Sequence, residues 1–483
     1  MQQIYAAGRL ILARPTLLAL FLLPFLVAAG CIERTTTIDA VPDRPYAGTV
    51  LTASANDPAD RELLRQLARS WSTRSGAEIR ILDGAWDGAA DIGLISPAEM
   101  PRWANGGQLA SVPPDLKSPT HPYRWDDLLP VFTIRLSKWQ EQTYALPVLG
   151  EGMVLAYRLD AFDGIEGRPA NPPATWDDLA GLAGKYFKDP YLPPLATTAE
   201  RLLAEFFTAA ACYDRTAVGR LNPGQLPGDD FFTFQMDGAS GDPRLDRPAF
   251  GHVADLFRQM QAHRVSARDV ATAFKTGNAK VGIVSLAELG QMGPDVAEKL
   301  GVAPVPGARF IIEANGDRRP TGQETINRVP YLGWGGRVGV VSAKCASPAA
   351  AWDFLADAGL PDRTALDLIA APRWGAGPYR TSQLDSRARS RWFAYGLSAI
   401  ETERLTSALN ENLGSGVQNY RVRLRTPNQQ EFASALDEEL RAMLKNQTPA
   451  GQAMQNANCR WADIIRKLPP DEWNKLMRRS LGR

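Results

Sequence analysis

Cysteine is scarce in this chain of 483 residues: Cys31, Cys212, Cys345 and Cys459 show no CxxC spacing. Neither a disulfide framework nor a four-thiolate zinc site is implied; one bridge among the last three is permitted, and three buried thiols is the simpler reading. Histidine is scarcer still. His121, His252 and His263 form no HExxH and lie near no cysteine pair, which removes the usual zinc arrangements. Neither a GxSxG elbow nor a GxxxxGK[ST] phosphate loop occurs, so the sequence signatures of those hydrolases and nucleotide-binding enzymes are missing. An excess of one charge is missing too. Lys plus Arg total 54 against 53 acidic residues, which leaves no electrostatic footprint for nucleic acid and no polybasic membrane patch. Long apolar runs are limited to one, from Leu17 to Gly30 with Pro24 inside it. As a helix it reaches about 21 Å, short of the roughly 30 Å hydrocarbon core.

That run is the first thing present. Arg9 and Arg14 precede it with no acidic residue, the layout of a secretory signal over residues 1–30. It ends in Val27-Ala28-Ala29-Gly30-Cys31, which resembles the lipobox of bacterial lipoproteins. The resemblance implies cleavage before Cys31 and a diacylglycerol on its thiol, so that the protein is lipid-anchored in the cell envelope, facing the periplasm or cell exterior. Ala28 stands where leucine is usual, which keeps an ordinary signal-peptidase cut open; an uncleaved signal anchor is the other alternative. Residues 31–47 then read as a polar, turn-rich tether.

Order begins at residue 48. "TVLTASA" reads as a buried strand and "NDPADRELLRQLARSWSTRSG" as a helix, with Asp57 as N-cap, Pro58 in the first turn and Gly76 closing it. Leu63, Leu64, Leu67, Ala68 and Trp71 fall on one face of that helix. "AEIRIL" and "ADIGLIS" supply two more strands, and strands alternating with helices argue for a mostly parallel α/β sheet. Helix starts are marked at Thr175-Trp176-Asp177-Asp178, Ser347-Pro348, Thr426-Pro427 and Thr448-Pro449. "TAERLLAEFFTAAACY" is a helix candidate inside the Pro/Gly-rich stretch 189–247, whose order the sequence leaves open.

Four separated segments resemble one family. "YALPVLGEGMVLAYRLDAFDG" with "NPPATWDDLAGLA", then "FKTGNAKVGIVSLAEL", "LGVAPVPG" and "GWGGRVGVVSAKCASPAAAWDFLADAG" are similar, in this order, to segments of extracellular solute-binding proteins of ABC importers, the maltose-binding-protein-like kind. The resemblance implies a two-lobed α/β fold, each lobe a mostly parallel sheet flanked by helices. It places residues 48–148 plus 305–345 in an N-terminal lobe and 149–304 plus 346–483 in a C-terminal one. Three hinge crossings follow, near 147–152, 301–306 and 342–347. It further implies capture of a sugar or oligosaccharide between the lobes and delivery to ABC permease subunits by a monomer. No cofactor, metal, nucleic acid or catalysis is implied. The departures are the eight-residue link "DGAWDGAA", where the family has a longer helical connection, and the 189–247 region.

Site candidates follow from that resemblance and from side-chain chemistry. Glu151, four residues after Pro147 at the first crossing, matches a ligand-contacting glutamate; an exposed hinge carboxylate is the alternative. Trp86 could stack on a sugar face or plug the shortened link, with Asp87 beside it. Ser54 and Asn56 close the first strand and Ser96 the third, at ends where relatives contact ligand, although Asn56 also suits a helix cap. Trp334 sits among glycines that allow close backbone approach, or is a core aromatic. Trp374, Tyr379 and Arg380 in "RWGAGPYRTS" resemble a late loop over the ligand; helix packing is the alternative. Carboxylates are too common for a paired-carboxylate glycosidase to be dismissed, and a solute-sensing or non-transport lipoprotein would share every feature.

Overall fold

The computed structural model describes residues 44–480 apart from 163–170, 183–185, 188, 196, 215–233, 239, 323–324, 330 and 414–420. The signal segment, Cys31 and most of the expected tether lie outside the described residues, as does part of 189–247. Among the described residues no helix is long and apolar enough to cross a membrane.

In chain order the strands that matter are β1 (Val50–Ala55), β2 (Glu78–Ile81), β3 (Ile92–Ile95), β4 (Ala145–Leu149), β5 (Met153–Arg158), β6 (Val281–Ser285), β7 (Leu300–Ala303) and β8 (Arg337–Val341). The helices are α1 (Pro58–Ser75), α2 (Met100–Asn105), α3 (Ala199–Asp214), α4 (Pro248–Gln261), α5 (Leu286–Met292), α6 (Pro348–Ala358), α7 (Ala399–Leu413), α8 (Gln429–Leu444), α9 (Ala450–Arg466) and α10 (Pro470–Ser480). Local chemistry places several of them. Asp57 caps α1 by accepting the Ala59 N–H at 2.7 Å, and Gly76 ends it at φ +76°, a conformation that costs glycine nothing. Thr175 and Asp178 form the reciprocal capping box that their spacing predicts.

Two sheets carry the two lobes. The first has the order β2-β1-β3-β8-β4, and the second β6-β5-β7. Helices α1 and α6 cover one face of the first sheet, and Trp86, Trp139, Val338 and Val340 pack on the other. In β5 the side chains alternate across the second sheet: Leu155 faces the core shared with α3, α4, α8 and α9, while Val154 and Ala156 face α7.

Several sequence expectations are corrected here. Parallel pairing holds for β1 with β2 and β3; β8 is antiparallel to both neighbours, and β5 is antiparallel to β6 and β7. The strands that carry the chain between lobes are the ones that enter in the reverse sense. The chain passes from the first sheet to the second through 150–152. The chain does not return at the expected 301–306: "LGVA" becomes β7 of the second sheet, Val305, Ala308, Ile312 and Val329 join that lobe's core, and the chain returns only through 333–336 into β8. No crossing follows at 342–347, because α6 packs back onto β4 and β8 of the first sheet. Helix α10 touches both lobes. Trp473 donates its indole N–H to Gly241 O at 2.9 Å within the second core, whereas Leu476 joins the first-lobe cluster around Trp139 and the Arg479 carbonyl accepts the Gln140 N–H at 3.1 Å. Of the three described cysteines, only Cys212 is buried, and all are free thiols.

Candidate functional site

The crossings and the carboxyl ends of β1 and β3 converge on two neighbouring cavities of about 280 and 500 Å³. Ligands of open α/β sheets dock at such strand ends. The smaller cavity lies against the crossings and is walled by Glu151, Trp334 and Trp374 from one side and by Arg201, Ser285 and Arg328 of the second lobe. The larger lies against the strand ends, with Asn56, Ser96 and Glu99 facing Arg423, Gln429 and Gln430. Asp60, Glu200, Trp334 and Arg337 line both, so the two spaces form one cleft.

The shared wall is charged but internally paired. Asp60, in the first turn of α1, accepts from the Arg337 Nε of β8. Burial raises the Asp60 pKa, and the Arg337 cation opposes the shift. Across the cleft Arg423 lies 3.6 Å from Glu200 of α3. Its guanidinium sits 4.0 Å above the Trp334 ring, which is itself stacked on Phe207 at 6.1 Å. Arg201 is held by Glu205 and Glu288, each at 3.2 Å, and Arg328 by Glu411 at 2.6 Å. Arg337, Arg423, Arg201 and Arg328 are thus matched by the chain's own carboxylates.

Glu151 is the exception in its partners. Its carboxylate accepts backbone N–H groups from Gly333 at 2.6 Å, Gly335 at 2.9 Å and Trp334 at 3.3 Å. Burial pushes its pKa up to about 7, against the pull of those three N–H groups and of Arg423. A native value above the ordinary 4.5 means that the group adds stability in full below pH 4.5 and loses that contribution as the pH rises through about 7. Urea midpoints of the wild type and Glu151→Gln are therefore expected to converge or cross between pH 4.5 and 8, with the wild type losing ground as the pH rises; a constant difference would show that the native carboxyl titrates normally.

A family model described as bacterial extracellular solute-binding protein matches residues 70–358. The chain belongs to that family. Solved structures share the fold of this solute-binding protein at low identity. An ABC transporter solute-binding protein from Agrobacterium radiobacter K84, in complex with ribitol, aligns with a TM-score of 0.63 at 15% identity, over 87% of this chain and 100% of that one. The cyclic alpha-maltosyl-1,6-maltose binding protein from Arthrobacter globiformis gives 0.61 at 16%, over 87% and 100%. The GacH receptor of Streptomyces glaucescens, solved unliganded and with acarbose, gives 0.59 at 14%, over 87% and 99%. No curated protein matches the chain by sequence.

Five of the sequence candidates line the cleft of the solute-binding protein: Glu151, Trp334 and Trp374 at the crossings, and Asn56 and Ser96 at the strand ends, with Trp334 reaching both cavities. Asn56 also holds local structure, donating to Glu99 at 2.9 Å and accepting the Trp86 N–H at 3.3 Å. The other candidates do not reach the cleft. Trp86 is 3% exposed, donates to Ala90 O at 3.0 Å, and covers Gly93 so closely that a Cβ there would meet its ring at 2.6 Å; it plugs the shortened link. Asp87 is exposed and accepts the Ala89 N–H at 2.9 Å within that turn, and Ser54 is buried in β1. Tyr379 and Arg380 point inward: Arg380 is 0% exposed, lies between the rings of Tyr123 and Tyr379, donates to Arg124 O at 3.1 Å and pairs with Asp127 at 3.4 Å.

The pairs Asp60–Arg337 and Glu200–Arg423 escaped the sequence reading. Arg337 stands three residues after Trp334 in the quoted "GWGGRVG", but its partner is 277 residues away, and no spacing rule connects them. Among the described residues no group of three or more His, Cys, Asp or Glu is placed to hold a metal ion.

Proposed function

We propose that the protein captures a neutral polyhydroxylated solute, a sugar, polyol or oligosaccharide, in the cleft between its lobes and hands it to an ABC permease, tethered to the envelope membrane through an acylated Cys31. It acts as a binding protein without catalysis. One observation carries the reading: Trp334 forms a wall common to both cavities, flanked by Asp60–Arg337 and Glu200–Arg423. Trp334 is buried, with its ring against Phe207 and Arg423, so it shapes the apolar wall where it borders the cavities, and the flanking carboxylates and guanidinium groups supply acceptors and donors for hydroxyls. Among the described residues these two charge pairs neutralise one another, which suits a neutral solute better than a phosphate or carboxylate one. Relatives of the same fold bound to ribitol and acarbose support this solute class.

The test is a thermal-shift and calorimetric panel on the full chain with maltose, acarbose and ribitol against glutamate and inorganic phosphate. A native-state ligand at a hundred times its Kd adds about 2.7 kcal/mol of stability, so a cognate sugar raises Tm by several degrees. A shift from glutamate or phosphate alone would overturn the solute class. Cys31→Ser is expected to abolish lipidation and release the protein from membranes; unchanged membrane association without a lipid would overturn the anchor.

A further inference from the structure

Glu151 sits where two chain crossings pass one another. Its backbone belongs to the link from β4 to β5, while its side chain reaches the link into β8, where three consecutive amides, Gly333, Trp334 and Gly335, donate to one carboxylate. The approach is close because the neighbours lack side chains. A Cβ on Gly335 would come 2.9 Å from Glu151 Cβ, and one on Gly377 would come 2.4 Å from the Glu151 carbonyl carbon. Gly150 and Gly377 exchange two N–H···O bonds of 3.0 Å alongside, so a third segment packs against the same point. Gly333 and Gly336 turn the chain at φ +97° and +74°. The charged groups around this carboxylate are Arg423, and, lining the same cavity, Asp60 of α1, Glu200 and Arg201 of α3, Arg337 of β8, and Arg328.

Three N–H groups take up most of the roughly four acceptor positions of a carboxylate, so little of Glu151 remains for a bound solute. What those bonds do fix is the backbone on both sides of Trp334, and with it the direction in which the indole leaves the chain, onto Phe207 and beneath Arg423. We propose that Glu151 is a positioning residue: it clasps the two crossings together and sets Trp334 as the wall of the cleft, instead of bonding the solute itself. This rests on the reading of Trp334 as a solute-facing wall, whereas the clasp can be tested with no ligand present.

The experiment follows amide hydrogen exchange of residues 333–335 in the unliganded full chain at pH 8, in the wild type and in Glu151→Gln, together with the tryptophan near-ultraviolet circular dichroism. Loss of a charged acceptor is expected to speed exchange there by about tenfold or more and to alter the indole signal, while β8 amides keep their protection. Maltose titrations then complete a double-mutant cycle with Trp334→Ala: a positioning role makes the two losses strongly non-additive, whereas a direct Glu151–sugar bond makes them additive. Unchanged exchange at 333–335 with additive losses would overturn the proposal. Should Glu151→Gln not fold, the wild type still decides, because exchange at 333–335 as fast as at the exposed turn around Gly316 would exclude a clasp. If no panel sugar binds, the proposed function fails and the exchange data alone judge the clasp.

Discussion

Arg380→Ala is expected to lower stability by about 3–5 kcal/mol while leaving the sugar affinity of the folded fraction unchanged. Arg380 is fully buried, and its partner Asp127 is also bound by the Ser382 N–H at 2.9 Å and hydroxyl at 2.6 Å. Truncation removes the guanidinium from between two tyrosine rings and leaves Asp127 with Ser382 and with Arg124 at 3.9 Å as its remaining partners. The weakened pairing of a mostly buried carboxylate and the loss of packing between the two rings together make the substitution costly. A urea titration at constant m-value reads the stability, and calorimetry with the panel sugar that gives the largest shift reads the affinity. Intact stability with lost binding would return Arg380 to the cleft and contradict its burial against Asp127.

Arg337→Ala is expected to weaken sugar binding by about 30-fold or more in the folded fraction, equivalent to some 2 kcal/mol, in addition to lowering the urea midpoint, because Asp60 is buried. Arg337 lines both cavities and carries the only described cation in contact with Asp60. Without it the buried Asp60 carboxylate loses the cation that opposes its upward shift and its pKa rises further, so that the wall loses a donor and gains an acidic group of altered protonation. Asp60→Asn is the matching variant, removing the charge while keeping the shape. If both variants bind the panel sugar as the wild type does, the Asp60–Arg337 pair is structural and the solute lies elsewhere in the cleft.

These two arginines show how far the sequence could be read. Both stand in glycine-rich segments beside aromatic residues, "GWGGRVG" and "WGAGPYR", and on local grounds they look alike. One reaches the cleft and the other is sealed in the core, because Arg380 meets Asp127 among the buried rings of Tyr123 and Tyr379 while Arg337 meets Asp60 at a helix start that opens onto the cavity. The same division separates Trp334 from Trp86. Glycine permits close approach in both neighbourhoods, but only the packed structure shows that Gly93 draws the Trp86 ring inward, whereas the clasped link presents Trp334 to both cavities.

The features legible in the residues alone were those set by interactions a few positions long: the α1 cap at Asp57 and stop at Gly76, the capping box at Thr175, the apolar face of α1 and the core strands of the first sheet. Helix caps and side-chain periodicity act over one or two turns, so a linear pattern records them. The return crossing at 333–336, the antiparallel sense of β5 and β8, the inward turn of Arg380 and the pairing of Asp60 with Arg337 were decided by partners tens to hundreds of residues distant. Such contacts depend on which surfaces remain after both sheets have packed, and burial then determines whether a charged or aromatic side chain faces a cavity or closes a core.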